Sequence, residues 1–159
     1  MEPVFFPQKP PRPRSEYTHV SAAAVLWDGQ GHVLLQEREQ KPGVTYPGFW
    51  GLFGGGIEAG EEPADAMQRE LLEELELSCA VHFIGGVEFD FRAIPSRAAL
   101  AYRYFFGAVL TDVQIGALVL GEGASMQWFS PNALHRQLSN VLPLELPILS
   151  QVAHGLLTP

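Results

Sequence analysis

Cysteine is nearly absent: the 159 residues hold one, Cys79. An internal disulfide framework is thereby excluded, and the chain suits a reducing compartment. No apolar run approaches the roughly 18 residues that cross a bilayer. Residues 1–14 carry prolines and lack the apolar stretch of a signal peptide. These absences predict a cytoplasmic protein with no membrane partner. Basic residues are scarce, ten against eighteen acids, and the net charge is −8. A nucleic-acid backbone is therefore not the expected partner. No G-x4-G-K-[ST] loop is present, and no G-x-G-x-x-G follows a strand. His19, His32, His82, His135 and His154 show no metal-binding spacing. Cys79 reads as a packed thiol rather than a nucleophile.

What is there describes a globular chain. Its apolar fraction of 47% and charged fraction of 18% are ordinary for a domain with a real core. Residues 1–16 contain five prolines with Lys9, Arg12 and Arg14, a composition that favours an extended arm with few internal hydrogen bonds. Residues 17–159 show no internal repeat and no linker, so they form a single domain. His19 to Trp27 and His32 to Glu37 read as a hairpin about the turn residues Asp28-Gly29-Gln30-Gly31. Gln40 to Phe49 is a loop, and Trp50 to Phe53 a short strand before a glycine turn at Gly54-Gly55-Gly56. Pro63 opens a helix that runs to about Leu75. Val81 to Phe91 and Leu100 to Leu110 are strands around a polar turn at Pro95-Ser96, and Ala124 to Phe129 is another. Two helices follow, near Asn132 to Leu138 and from Pro147 to about Gly155. This order predicts an α/β sandwich or α+β class.

Charge is distributed unevenly. Gly55 to Leu77 holds eight of the eighteen acids and one basic residue, Arg69. On the helix, Met67, Leu71 and Leu75 form the buried stripe. Glu70, Glu73 and Glu74 project from a different side. Exposed Glu–Glu pairs cost only about 0.2–0.5 kcal/mol each, so a solvated acidic face is one reading. In a cleft, two carboxylates about 6 Å apart at an effective dielectric near 20 repel by roughly 2–3 kcal/mol. Mg²⁺ removes that repulsion and takes oxygen ligands from carboxylates and phosphates.

Spacing separates the two readings. Gly55, Glu61, Arg69-Glu70-Leu71, Glu73-Glu74 and Leu77 match eight of the nine specified positions of G-x5-E-x7-R-E-U-x-E-E-x-G-U, where U is bulky and aliphatic. The chain therefore resembles the Nudix (MutT-like) hydrolase family. Phe49 to Gly55 and Leu120-Gly121-Glu122-Gly123 with Trp128-Phe129-Ser130 extend the resemblance over most of residues 18–155. Glu76 stands where the motif has its last glycine, at a helix end that takes a left-handed backbone. Glutamate in that conformation costs about 1 kcal/mol.

The resemblance implies a Nudix-type α/β/α sandwich with a central mixed sheet. It implies a Mg²⁺-dependent (Mn²⁺ as substitute) diphosphohydrolase that cleaves a pyrophosphate bond in a nucleoside diphosphate derivative by water attack on phosphorus. Glu70, Glu73 and Glu74 would be metal ligands, joined by a carbonyl of Gly54 or Gly55. Glu61 and Arg69 would orient the loop and helix. Glu122 is the candidate general base, with Glu73 the alternative. Arg38, Lys41, Arg92 and Arg103 are the candidate phosphate contacts, and Tyr46, Phe49 and Phe89 the candidate base-stacking rings. Glu145 either accepts hydrogen bonds from a purine N–H edge or serves a helix N-terminus. A small nucleotide-type substrate and a monomer or homodimer are expected. A catalytically silent binding module on the same fold is the alternative, and it usually goes with loss of box glutamates, all of which are present.

Overall fold

The computed structural model describes residues 4–6, 10–92 and 99–159. The turn expected at Pro95-Ser96 lies outside them, as does part of the proline-rich arm. Among the described residues, eight strands form one sheet: β1 (Val4–Phe6), β2 (His19–Trp27), β3 (Val33–Glu37), β4 (Trp50–Gly51), β5 (Phe53–Gly56), β6 (His82–Asp90), β7 (Leu100–Val109) and β8 (Ser125–Phe129). Four α-helices accompany them among the described residues: α1 (Pro63–Leu75), α2 (Asp112–Gly116), α3 (Pro131–Gln137) and α4 (Leu146–Ala153). The sequence reading did not anticipate α2. Its Thr111 hydroxyl accepts from the Gln114 amide in a capping box.

The order β1-β6-β7-β2-β3-β4, with β5 on β2 and β8 on β3, makes the sheet mixed. β2 and β7 run parallel, and the other pairings are antiparallel. Alternation along β2 feeds two cores. Ala23, Val25 and Trp27 meet Leu134 of α3 and Ile148, Leu149 and Val152 of α4. Ala22, Ala24 and Leu26 meet Met67, Leu71 and Leu75 of α1. The sheet is thus covered on both faces, the α/β/α arrangement expected. Pro63 sits in the first turn of α1, where its missing N–H costs nothing.

Two details differ from the sequence reading. Residues 54–56 are not a turn. They belong to β5, which pairs with β2 from Ser21↔Gly56 to Ala24↔Phe53. The glycines serve close approach instead. Gly54 has φ 145°, and a Cβ there would lie 2.1 Å from the Ala22 carbonyl oxygen. The arm is not wholly free of sheet bonding either, since Val4–Phe6 pairs antiparallel with β6.

The sheet divides beside these glycines. β4 pairs with β3, whereas β5 crosses to β2. Leu52, between them, belongs to neither strand. A gap opens at this point, and it positions the site.

Candidate active site

A cleft of about 660 Å³ occupies this division. Its charged lining residues are Glu39, Glu74, Glu122 and Glu145 with Arg38, Lys41 and Arg103. Two amides of one backbone segment hold a buried carboxylate from each helical layer. Gly54 N–H donates to Glu74 Oε2 at 2.7 Å. Leu52 N–H donates to Glu145 Oε2 at 2.5 Å. These amides are two residues apart, about 7 Å along an extended chain. Gln36 completes the frame, donating from Nε2 to the Leu52 carbonyl at 3.2 Å and to Glu74 Oε1 at 3.3 Å.

Glu74 is only 6% exposed, so it does not lie on a solvated face. Burial pushes its carboxyl up to about 7. The Gly54 and Gln36 hydrogen bonds oppose that shift, while the charges of Glu70 and Glu122 add to it. Glu70, one turn earlier, lies against the glycine strand: a Cβ on Gly55 would sit 2.5 Å from its carboxylate. Glu70 also accepts from Arg69 Nη1 at 2.7 Å. Glu73 differs from both. Its side chain is 59% exposed and touches Arg69 at 3.4 Å.

Arg69 gathers the loop before α1. Its Nε and Nη2 donate to the two carboxylate oxygens of Glu61 at 2.9 and 3.1 Å, and Nη2 also reaches the Gly56 carbonyl at 2.9 Å. The bidentate pair fixes both orientation and charge. It holds the Glu61 carboxyl below its ordinary value and the Arg69 guanidinium above its own.

Glu122 reaches the cleft through contacts distant in sequence. Gly121 N–H donates to the Glu74 carbonyl at 2.7 Å, and Ala124 N–H to the Glu37 carbonyl at 2.8 Å. The loop is thereby strung from the end of α1 to the end of β3.

The expected substrate contacts divide. Arg38 lines the cleft, with its Nε on the Thr45 carbonyl at 2.8 Å. Lys41 lines it beside Glu39. Arg103 and Glu145 line it too, but as a mutual pair at 2.6 Å. Arg103 Nη1 also meets the Ser21 hydroxyl at 3.2 Å. Both Glu145 oxygens are therefore engaged, and this fully buried carboxylate does not present itself to a purine N–H edge. It occupies the N-cap position of α4 but makes no side-chain cap bond. Arg92 is not in the cleft lining; it pairs with Asp90 on β6. Phe89 is buried in the core against Phe91 and does not stack on a ligand. Tyr46 lines the cleft with its ring 5.4 Å from Phe49. Sequence reasoning missed Gln36, although a polar residue after the buried run Val33-Leu34-Leu35 is a readable signal.

Among the described residues, no three carboxylate, imidazole or thiol groups converge as a ready-made cation cage. The donor chemistry nonetheless fits a hard divalent ion. Glu70 and Glu74 lie on the backbone of Gly55 and Gly54, and Glu122 is close enough for its charge to act on Glu74. Among the described residues, no helix is long and apolar enough to cross a membrane.

Fold and site together define an α/β/α protein in which carboxylates of an acidic helix and the side chains of Arg38 and Lys41 share one cleft. The NUDIX domain family model matches residues 17–149. The chain belongs to the Nudix family. An RNA pyrophosphohydrolase of Gluconacetobacter diazotrophicus is 37% identical over 90 residues, 55% of this chain and 53% of that protein. A nucleoside triphosphatase NudI of Salmonella agona is 44% identical over 50 residues, 31% of this chain and 35% of that protein. The matches thus span about half or less of these curated relatives. The crystal structure of a MutT protein from Methanosarcina mazei Go1 superposes with a TM-score of 0.69 at 18% identity, covering 86% of this chain and 94% of that one. That likeness bears on the fold.

Proposed function

We propose that this chain is a divalent-cation-dependent diphosphohydrolase that cleaves a pyrophosphate bond in a nucleoside diphosphate derivative by water attack on phosphorus. The observation that carries the reading is Glu74: a buried carboxylate on the Gly54 amide, beside Glu70 and Glu122, in a cleft shared with Arg38 and Lys41. The relatives' names, a pyrophosphohydrolase and a nucleoside triphosphatase, point to the same bond class. Residues 17–159 form the catalytic domain, and the setting is cytoplasmic.

Glu70, Glu73 and Glu74, with a carbonyl of Gly54 or Gly55, would hold Mg²⁺ or Mn²⁺. Glu73 is free enough of the frame to turn inward. A bound cation supplies charge neutralisation for the non-bridging phosphate oxygens. The chain's own residues do the rest. Arg38 and Lys41 bind the substrate's anionic groups, and Tyr46 presents a ring face to a base. Glu61 and Arg69 orient the loop and α1. Glu122, pinned next to Glu74, removes the proton of the attacking water, with Glu73 the alternative base. Arg103 and Glu145 build the cleft wall.

The test is phosphate or nucleotide release from a panel of nucleoside triphosphates, nucleotide sugars, dinucleoside polyphosphates and a 5′-triphosphorylated oligonucleotide. Each is assayed with and without Mg²⁺ or Mn²⁺, wild type beside Glu74→Gln. Metal-dependent cleavage lost by at least about 100-fold in the variant is the expected result. Undiminished hydrolysis by Glu74→Gln overturns the reading. Tight binding without turnover replaces it with a binding module.

A further inference from the structure

The segment preceding the domain reaches the loop that carries Glu61. Arg14 donates from Nη2 to the Glu58 carbonyl at 2.7 Å and from Nη1 to the Glu61 carbonyl. These carbonyls belong to one turn. Glu61 N–H donates to the Glu58 carbonyl at 3.1 Å, and Gly60 between them has φ 81°. The Glu61 side chain closes the turn by accepting from the Glu58 amide at 2.9 Å. One guanidinium therefore grips the turn by its carbonyls, while Arg69 grips it by the Glu61 carboxylate.

Arg14 is itself fixed. Pro13 sets the backbone entering a short 3₁₀ turn at Arg14–Glu16. On one side Arg12 Nε pairs with Glu88 of β6 at 3.0 Å. On the other Tyr17 donates to the same Glu88 oxygen at 2.9 Å, and Thr18 N–H donates to the Leu100 carbonyl at 2.7 Å. A continuous set of contacts thus runs from β6 through Arg14 to Glu61, Arg69 and Glu70.

We infer that Arg14 is a positioning residue for the cation site, acting through the Glu58–Glu61 turn on Arg69 and so on Glu70. This rests on the proposed cation-dependent reading. The physical reason is the double constraint. A turn held at its carboxylate alone can pivot about Glu61, and Arg69 then loses the fixed partner that aims its Nη1 at Glu70. A turn held at both faces cannot pivot. Arg14 also places a positive charge beside the acidic window, and that charge helps hold Glu61 ionised.

The experiment compares wild type, Arg14→Ala, Arg14→Lys and Val152→Ala, a core variant on the opposite face of the sheet that controls for lost stability. Mn²⁺ affinity is measured by calorimetry on the full chain without substrate. The Arg69 Nε–H resonance is followed in metal-free protein. Arg14→Ala should weaken Mn²⁺ binding about tenfold, as removal of a group that orients metal ligands does. It should also cost Arg69 Nε–H its protection from solvent exchange. Arg14→Lys, with one compact donor group in place of the fork, should fall between, and Val152→Ala should move neither readout. An unchanged Arg69 Nε–H in Arg14→Ala overturns the inference whether or not Mn²⁺ binds. An unchanged Mn²⁺ affinity with a changed Arg69 signal overturns the link to the cation site. Failure of wild type to bind Mn²⁺ overturns the cation reading itself, and with it the role assigned to Arg14.

Discussion

The Glu74 carboxyl is raised from 4.5 to about 7 chiefly by burial, with the charges of Glu70 and Glu122 adding to it. A folded-state value above the unfolded one means the folded chain keeps a proton that the unfolded chain has released. Stability in metal-free protein is therefore greatest below pH 4.5 as far as this group is concerned. It falls as pH rises toward 7, by at most about 3 kcal/mol. Glu74→Gln should remove that fall, giving similar urea midpoints at pH 5 and pH 8 where wild type declines. Added Mg²⁺ should restore wild type at pH 8 and leave the variant unchanged, because cation and proton compete for one carboxylate. A wild-type midpoint flat across this range in chelator would contradict the assignment.

Helix α1 shows which parts of the architecture were readable. Pro63 and the four-residue spacing of Met67, Leu71 and Leu75 are local signals, and the helix spans Pro63–Leu75 as expected. Strands β2, β3, β6 and β7 are equally plain, because strand alternation and turn residues are local too. The resemblance to the family motif singles out Glu61, Arg69, Glu70 and Glu74; in the structure Arg69 joins Glu61 to Glu70, and Glu74 lies on the Gly54 amide. Partners that pattern and spacing do not show are what the expectations at residues 54–56 and at Arg92 lack. Glycine run 54–56 carries the signature of a turn, yet its lack of side chains serves β2 and Glu70. Arg92 and Arg103 look alike in sequence, and only the fold sends one to Asp90 and the other to the cleft. The left-handed helix end expected at Glu76 is present. Glu76 takes φ 52°, with its amide and that of Leu77 on the carbonyls of Leu72 and Leu71. Replacement by glycine should relieve the left-handed strain and raise unfolding free energy by about 0.5–1 kcal/mol. Denaturant titration checks this, and metal affinity should not change.

At the scale of the molecule, the Arg103–Glu145 pair ties β7 to the start of α4, and Leu52 N–H joins it to the backbone that leads into β5. Two charges taken out of water stabilise little as a pair, but either alone is costly. Arg103→Leu should lose roughly 3–5 kcal/mol, and adding Glu145→Gln should recover most of it. A double-mutant cycle by urea denaturation measures the coupling, and additive losses would refute it.

The parallel neighbours β2 and β7 carry a consequence for how the molecule is made. β2 faces two cores, and its long side is completed only by residues 101–109, some eighty positions further along the chain. Closing so distant a pair has a high entropic cost before any contact compensates it, which places refolding nearer milliseconds to seconds than microseconds. A nascent chain on the ribosome would hold β2 with β3 and β5 but leave its other edge bare until β7 emerges. That interval is when an unpaired, apolar strand edge invites other chains, so chaperone dependence during synthesis should exceed that of the finished protein.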